Sequence, residues 1–181
     1  DAAHASGDPW NGNSAVDAME LYTTALNYYR EHIRPTARIH YDIEKAGDVV
    51  NVVPDYAQIW TRIRENDKKN VNILYERAKK MAEGASMMAN VEYELSLISG
   101  IYEIIPNRFG AKIIQNNFEM LGEIEYSSDE IEYANTILKE TGKELKGIDG
   151  KIKPIKPTLP AQGGSTDVGD VSQIVPVVRL G

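Results

Sequence analysis

The sequence contains no cysteine, and it has only three histidines, two phenylalanines and two tryptophans. The absence of cysteine excludes disulfide scaffolds, thiolate zinc sites and cysteine nucleophiles. No run of about 18 apolar residues occurs, so no membrane partner is expected. Acidic residues outnumber basic ones by 27 to 20, which gives a formal net charge of −7. Because phosphate neutralisation needs a basic surface, no nucleic-acid partner is expected either.

The composition that remains is that of a globular domain. Of the 181 residues, 42% are hydrophobic and 26% are charged, which is ordinary for folded domains. A chain of this length can bury enough apolar surface to fold without disulfides or metals. It begins with Asp1 and ends directly after an apolar run, so we expect a fragment of a larger protein. The lack of cysteine fits a reducing compartment, and a cytoplasmic location is expected.

Four helices are predicted from apolar residues that recur at steps of three and four. The fourth begins at a capping box, Ser127-Ser-Asp-Glu130, in which side chains and backbone N–H groups bond reciprocally. Pro35 stops the first helix and Gly122 ends the third. The four helices are predicted at residues 14–34, 67–89, 108–121 and 127–141.

Strict alternation of apolar and polar residues predicts three strands, at 38–43, 56–64 and 91–97. A short segment at residues 1–5 could form a first strand. With the first two helices, this order is the βαββαβ order of a ferredoxin-like domain. Residues 143–162 are rich in Lys, Pro and Gly and are interpreted as a loop or linker. A last strand is predicted at residues 174–178.

The three histidines limit the candidate catalytic and metal-binding residues. No two of them have a metal-ligand spacing such as i and i+4, and no Glu-x-x-His pair occurs, so no metal site is predicted in this chain. His4 precedes a loop with Gly, Pro and Trp, where its imidazole could donate a hydrogen bond or accept a proton. An ordinary surface histidine at a strand end fits the same position equally well.

Three further groups of residues could bind a substrate. Arg62 and Arg64 fall on the polar face of a predicted strand, where a guanidinium could bind a carboxylate or simply face water. Asn51 lies in a loop, where a turn role is the default. Consecutive glycines expose N–H groups that can bind an anion, although a turn before a strand fits as well. This loop consists of Gly163, Gly164, Ser165, Thr166 and Asp167.

Taken in order, these candidates resemble a known family. The relevant stretches are Ala3-His4-Ala5-Ser6-Gly-Asp-Pro-Trp10, Asn51-Val-Val-Pro-Asp-Tyr-Ala57, Ile63-Arg64 and Gly163-Gly-Ser-Thr-Asp167. They are similar to the zinc-dependent aminoacylase and carboxypeptidase-G-type peptidase family. The resemblance covers about residues 1–125 and 160–178.

The resemblance implies an α+β chain with two parts. Residues 1–105 would form a ferredoxin-like (βαββαβ) dimerisation or lid domain, an antiparallel sheet with two helices on one face. This agrees with the element order predicted from the pattern. Residues 106–181 would be an incomplete α/β segment of the catalytic domain that includes the linker at 143–162.

The resemblance also implies roles for individual residues. His4 would reach into the partner subunit's active site and donate a hydrogen bond to the scissile carbonyl. Asn51 would help to hold the substrate, and Arg64 would bind its carboxylate. The loop of Gly164, Ser165, Thr166 and Asp167 would line the substrate pocket. The implied reaction is metal-dependent hydrolysis of the amide bond in an N-acyl amino acid such as p-aminobenzoyl-glutamate.

The implied cofactors are two zinc or manganese ions in the catalytic domain of the parent protein. The positions that hold them in the family are not in this sequence, so the fragment alone is expected to bind no metal and to be inactive. The implied partner is a second copy, bound through the ferredoxin-like domain. The alternative hypothesis is a non-catalytic ferredoxin-like module that only self-associates.

Overall fold

The computed structural model describes residues 1–155 and 164–178 of the chain. The chain divides into two compact units, Asp1–Glu103 and Ile104–Gly181. Among the described residues, no helix is both long enough and apolar enough to cross a bilayer. The elements are α1 (Ala15–Tyr29), β1 (Arg38–Ala46), β2 (Ala57–Arg64), α2 (Lys68–Ala89), α3 (Arg108–Leu121), α4 (Ser128–Glu140) and α5 (Val168–Ser172), with 3₁₀ turns at Pro9–Asn11 and Arg30–His32.

In the first unit, β1 and β2 form a two-stranded antiparallel sheet. Its register runs from Arg38 opposite Arg64 to Ala46 opposite Ala57. Successive side chains point to opposite faces, so Ile39 is buried while its neighbours on the strand are more exposed. The two strands predicted from alternation in this part of the chain are confirmed.

The core of the first unit lies between this sheet and two helices. Leu26 of α1 is fully buried. The hydroxyl of Tyr22 lies 3.3 Å from the hydroxyl of Thr61 on β2, within hydrogen-bonding distance. Burial raises the pKa of Tyr22, and the contact with Thr61 opposes that rise. The buried cluster consists of Tyr22, Leu26, Ile39, Ala78 and Ala85.

Capping residues define the ends of both core helices. The Ser14 side chain accepts from an N–H of the first turn of α1, and Asp67 does the same for α2. Asn90 ends α2 in the left-handed conformation. The α-helical part of α1 is shorter than predicted, because a 3₁₀ turn replaces its last residues before Pro35.

The strand predicted at residues 91–97 is wrong. Tyr93, Leu95 and Leu97 alternate as predicted, but the segment has no regular secondary structure and all three side chains are exposed. A strand requires a neighbouring strand to complete its hydrogen bonds. In the part of the chain that the structure describes, β1 and β2 pair only with each other. Alternation therefore predicts a face but does not supply a partner.

The first predicted strand, at residues 1–5, is reduced to one antiparallel bridge between His4 and Val52. The described residues therefore contain a sheet of two strands rather than four. The α+β class is confirmed as a two-stranded antiparallel sheet with helices. The ferredoxin-like arrangement within that class is not confirmed.

The second unit contains the two further predicted helices. Asn107 caps α3 by accepting from the N–H of Gly110, and Gly122 follows the last residue of the helix. At α4 both halves of the predicted capping box are present. Ser127 accepts from the N–H of Glu130, whose carboxylate accepts from the N–H of Ser127.

The end of the second unit departs from the prediction. The described part of the chain has no strand at 174–178, and the short helix α5 comes just before it. The N–H groups of Ile174 and Val175 both donate to the carbonyl of Val171, so local turn bonds replace an extended ladder. Residues 143–155 have no helix or strand, as predicted for a linker, and 156–162 lie outside the described residues.

Candidate functional site

The segment around His4 runs antiparallel to the loop that contains Asn51. The N–H of Ala5 donates to the carbonyl of Asn51 at 2.9 Å, and the N–H of Val53 donates to the carbonyl of Ala3 at 2.8 Å. Both His4 and Asn51 are exposed. The structure thus brings two predicted site residues onto adjoining segments that are open to solvent.

These two segments are fixed against the start of α1. The N–H of Ala15, the first residue of α1, donates to the carbonyl of Pro54 at 2.8 Å. Gly12 packs between the other two segments, because a Cβ at this position would lie 3.0 Å from the side chains of both Ala3 and Val53. The position of His4 therefore depends on a close approach that favours glycine at residue 12.

The imidazole of His4 is held by the turn that follows it. Its Nδ1 accepts hydrogen bonds from the backbone N–H groups of Ser6, at 3.3 Å, and Gly7, at 3.1 Å. Because a backbone N–H can only donate, Nδ1 acts as an acceptor and the proton of the neutral ring lies on Nε2. Nε2–H is then the donor that this site offers. Neither Ser6 nor Gly7 is among the predicted site residues.

Arg64 lies at the other end of the sheet. It is the last residue of β2, it stands opposite Arg38, and it is half-buried. Asn51 lies in the loop before Ala57, the first residue of β2. Seven residue steps separate Ala57 from Arg64, and this corresponds to roughly 23 Å along a strand. Within one copy, the structure does not bring Arg64 together with His4 and Asn51.

The polar face of the sheet is basic around Arg64. The register places Arg38 opposite Arg64 and His40 opposite Arg62. The guanidinium of Arg62 lies 5.5 Å from the ring centroid of Trp60, a cation–π distance. Like charges on facing strands are unfavourable by themselves. A bound anion, such as a substrate carboxylate, would reduce that repulsion.

The predicted anion-binding loop belongs to the second unit. Gly163 lies outside the described residues, and Gly164 and Ser165 are exposed. The hydroxyl of Thr166 donates to the carboxylate of Asp167 at 3.3 Å. Asp167 directly precedes the five-residue helix α5. The loop therefore forms the entry to a helix rather than the predicted turn before a strand.

The described residues do not fit the metal site that the resemblance implies. Within residues 1–155 and 164–178, no three His, Asp or Glu side chains are grouped so that they could hold a metal ion. Zinc and manganese sites in proteins need several such ligands converging on one point. His4 therefore acts in this structure as a hydrogen-bonding group and not as one of a set of ligands.

Comparisons with known proteins give the context of this site. No protein-family model matches the sequence. The chain is 31% identical over a 204-residue alignment to one of the p-aminobenzoyl-glutamate hydrolase subunits of Escherichia coli, covering 98% of this chain and 42% of that protein. It is 27% identical to the Xaa-Arg dipeptidase of Mus musculus, covering 98% of this chain and 35% of that protein.

A solved structure is also similar, that of an aminobenzoyl-glutamate utilization protein from Klebsiella pneumoniae. The TM-score is 0.55 at 24% identity, and the match covers 64% of this chain and 30% of that chain. At this identity the likeness shows the fold alone. The chain spans less than half the length of these relatives. It is a homologue of part of these proteins, and its place with the aminoacylase and carboxypeptidase-G-type peptidases is confirmed.

Proposed function

We propose that this chain is the dimerisation or lid portion of a metal-dependent amidohydrolase. The substrate would be an N-acyl amino acid such as p-aminobenzoyl-glutamate, and the reaction would be hydrolysis of its amide bond. The observation that carries this proposal is the imidazole of His4, whose Nδ1 accepts from the following turn so that Nε2–H is the donor. The names of the relatives, a hydrolase subunit and a dipeptidase, support an amide substrate.

The chemistry explains why a fixed N–H donor is useful. Negative charge develops on the carbonyl oxygen when an amide is attacked by water. A preoriented donor stabilises that oxygen most strongly in the transition state, and removing one such donor typically costs about 3 to 4 kcal/mol. The Nε2–H group of His4 would be this donor. The amide of Asn51 can both donate and accept, so it would help to hold the substrate.

Arg64 would bind the carboxylate of the substrate with two parallel hydrogen bonds. The roughly 23 Å between the ends of β2 is longer than a small N-acyl amino acid. One substrate therefore does not contact Arg64 and His4 of the same copy. This separation supports a site that two subunits share, in which His4 of one subunit acts on a substrate bound by the other.

Two zinc or manganese ions are the proposed cofactors of the whole protein. Such ions polarise the carbonyl and supply an activated water when bound. Because the described residues do not form a site for them, the proposal assigns their ligands and the general base to positions outside this sequence. The loop of residues 164–167 would line the substrate pocket.

Self-association through the first unit is supported by the sheet. Among the described residues, β1 pairs only with β2, so the outer edge of β1 has no ladder partner. Such an edge can pair with a strand of another copy. The same edge favours the second candidate function, a module that associates without catalysis. One relative is named as a subunit, which says that it works with another chain.

The decisive experiment compares the parent protein, loaded with zinc or manganese, with its His4→Ala variant. We expect kcat/KM on p-aminobenzoyl-glutamate to fall by about 10²- to 10³-fold, because one oxyanion donor is lost. His32→Ala is the matched control, since His32 is exposed in a 3₁₀ turn. An unaffected His4→Ala variant would remove His4 from the mechanism. A native protein that hydrolyses no N-acyl amino acid would favour the association module.

Association is tested separately on the 181-residue chain. We expect light scattering at micromolar concentration to give about twice the protomer mass of 20.2 kDa. A mass of one protomer would contradict dimerisation through the first unit. It would leave the hydrolytic role of His4 to be decided by the kinetic comparison.

A further inference from the structure

We propose that Ser6 and Gly7 are positioning residues for His4. They hold the neutral imidazole as a single tautomer, with Nδ1 turned into the chain and Nε2–H free to donate. This inference rests on the proposed function for its catalytic meaning. Its structural content, the state of one ring, can be measured whether or not the protein hydrolyses an amide.

Three groups converge on Nδ1 of His4. The backbone N–H of Gly7 lies 3.1 Å away and that of Ser6 lies 3.3 Å away. The hydroxyl oxygen of Ser6 lies 3.2 Å away. Two of these groups are obligatory donors, so Nδ1 must act as the acceptor. The opposite tautomer would set an N–H against two N–H groups.

The turn that carries these donors is itself closed. The N–H of Asp8 donates to the carbonyl of His4 at 2.9 Å. His4 is therefore fixed through its backbone on one side and through its ring on the other. An exposed histidine without such contacts rotates and exchanges tautomers in water. The contacts to Ser6 and Gly7 reduce both freedoms before a substrate arrives.

The preorganised ring matters because only one tautomer can act. With the proton on Nε2, the ring donates to a developing oxyanion. With the proton on Nδ1, the ring would present a lone pair to that oxygen and repel it. The two positioning residues would therefore raise the fraction of protein that is ready to donate, without touching the substrate.

The role of Gly7 lies in its N–H and not in its missing side chain. A Cβ at Gly7 would lie 3.4 Å from Nδ1 and 3.7 Å from Cγ of His4, which is ordinary van der Waals contact. Gly7→Ala should therefore keep the hydrogen bond. Gly7→Pro removes the N–H altogether. The pair separates loss of the donor from the addition of a side chain.

The first test is nuclear magnetic resonance on the ¹⁵N-labelled 181-residue chain, in slightly basic buffer. We expect a scalar coupling across the hydrogen bond between the Gly7 nitrogen and Nδ1 of His4, and ring shifts of a single Nε2–H tautomer. His32 and His40 are exposed and serve as internal references, and His4→Gln assigns the signals. Absence of the coupling, with a His4 ring averaged between tautomers, would overturn the proposal.

The second test uses variants of the whole, metal-loaded protein. Gly7→Pro should lower kcat by about tenfold or more with KM nearly unchanged, as expected when an orienting partner of a histidine is lost. Gly7→Ala should keep both the coupling and kcat. A Gly7→Ala variant that lost activity while its coupling persisted would contradict positioning by the N–H. If Gly7→Pro does not fold, the coupling in native protein and in Gly7→Ala decides the question.

Ser6 gives an independent control. Ser6→Ala removes the hydroxyl and keeps the backbone donor, so we expect a retained coupling and a loss of less than about threefold in kcat. Ser6→Thr restores a hydroxyl and should restore any loss. A native protein that is inactive yet shows the coupling would defeat the proposed function and leave the ring assignment standing. Activity with no coupling would do the reverse.

Discussion

The two compact units differ in how well their helices are covered. In the first unit, α1 and α2 pack on the sheet and bury Leu26 completely. In the second unit, the side chains of Phe109 and Leu121 on α3 are 77% and 78% exposed. No large apolar side chain is buried among its described residues. The buried positions there are Gly110, Gly169 and Ser172.

The difference teaches that an apolar stripe and its partner are separate facts. Both units contain helices with regular apolar spacing and good caps, and such a stripe indicates a surface that needs covering. The first unit supplies its own cover in the form of β1 and β2. The helices α3 and α4 form from the same kind of pattern, yet their apolar side chains remain exposed. We therefore expect the first unit to hold most of the stability of the chain.

The largest expected effect comes from matched leucine truncations in the two units. Leu26→Ala should lower the free energy of unfolding of the first unit by about 2 to 5 kcal/mol, since it leaves a cavity in the core. Leu121→Ala should change stability by no more than about 0.5 kcal/mol, because this side chain is exposed. Urea unfolding followed by circular dichroism measures both. Equal losses would show that Leu121 is covered in solution and would remove the contrast.

The helices were predictable because their signals are local. Ser127 and Glu130 form both halves of a capping box that is readable from four adjacent letters. Asp67 at the start of α2 and Gly122 at the end of α3 also act where the sequence places them. A cap needs only the next turn of chain, so the sequence contains everything that decides it.

The strands at residues 91–97 and 174–178 failed for the opposite reason. A strand is completed by another strand, and alternation carries no information on which one is available. The strands β1 and β2 succeeded because only about ten residues separate them along the chain and they form a hairpin. A sheet that depends on distant segments is what a local pattern predicts worst.

The candidate site was predictable in its members but not in its geometry. His4 and Asn51 emerged from a resemblance, and the structure brings their backbones side by side. The distance to Arg64 follows from strand register, which a motif does not contain. Ser6 and Gly7 have a local signal, since N–H groups two and three residues after a side-chain acceptor commonly bond to it. That rule is usually applied to Asp, Asn, Ser and Thr and not to histidine.

A smaller effect should come from matched cap deletions. Ser14 caps α1 in the first unit and Ser127 caps α4 in the second, each by accepting from a backbone N–H. Ser14→Ala and Ser127→Ala should each cost about 1 kcal/mol. Hydrogen exchange should then quicken by about fivefold in the unit that carries the change. Faster exchange in both units after one substitution would show that they unfold together and would argue against two separate units.

The smallest expected effect is a change in acid sensitivity. The pKa of Asp67 is lowered from its ordinary 3.8, chiefly by the backbone N–H of Asn70 and then by the Asn70 side chain. A lowered pKa means that the native state binds fewer protons, so this contribution is present above pH 3.8 and is lost as the pH falls through the native value. Asp67→Asn keeps a cap acceptor and removes the titration.

Tryptophan fluorescence can follow this effect in the first unit alone, since Trp10 and Trp60 are the two tryptophans of the chain. The fall in the urea midpoint between neutral and acidic pH should be smaller in Asp67→Asn than in the native chain. Glu130→Gln is the matched control, because the pKa of Glu130 is lowered by the N–H and hydroxyl of Ser127 in the second unit. An effect of Glu130→Gln on the tryptophan signal equal to that of Asp67→Asn would contradict independent units. An unchanged acid response in Asp67→Asn would mean that other carboxylates set the acid stability of the first unit.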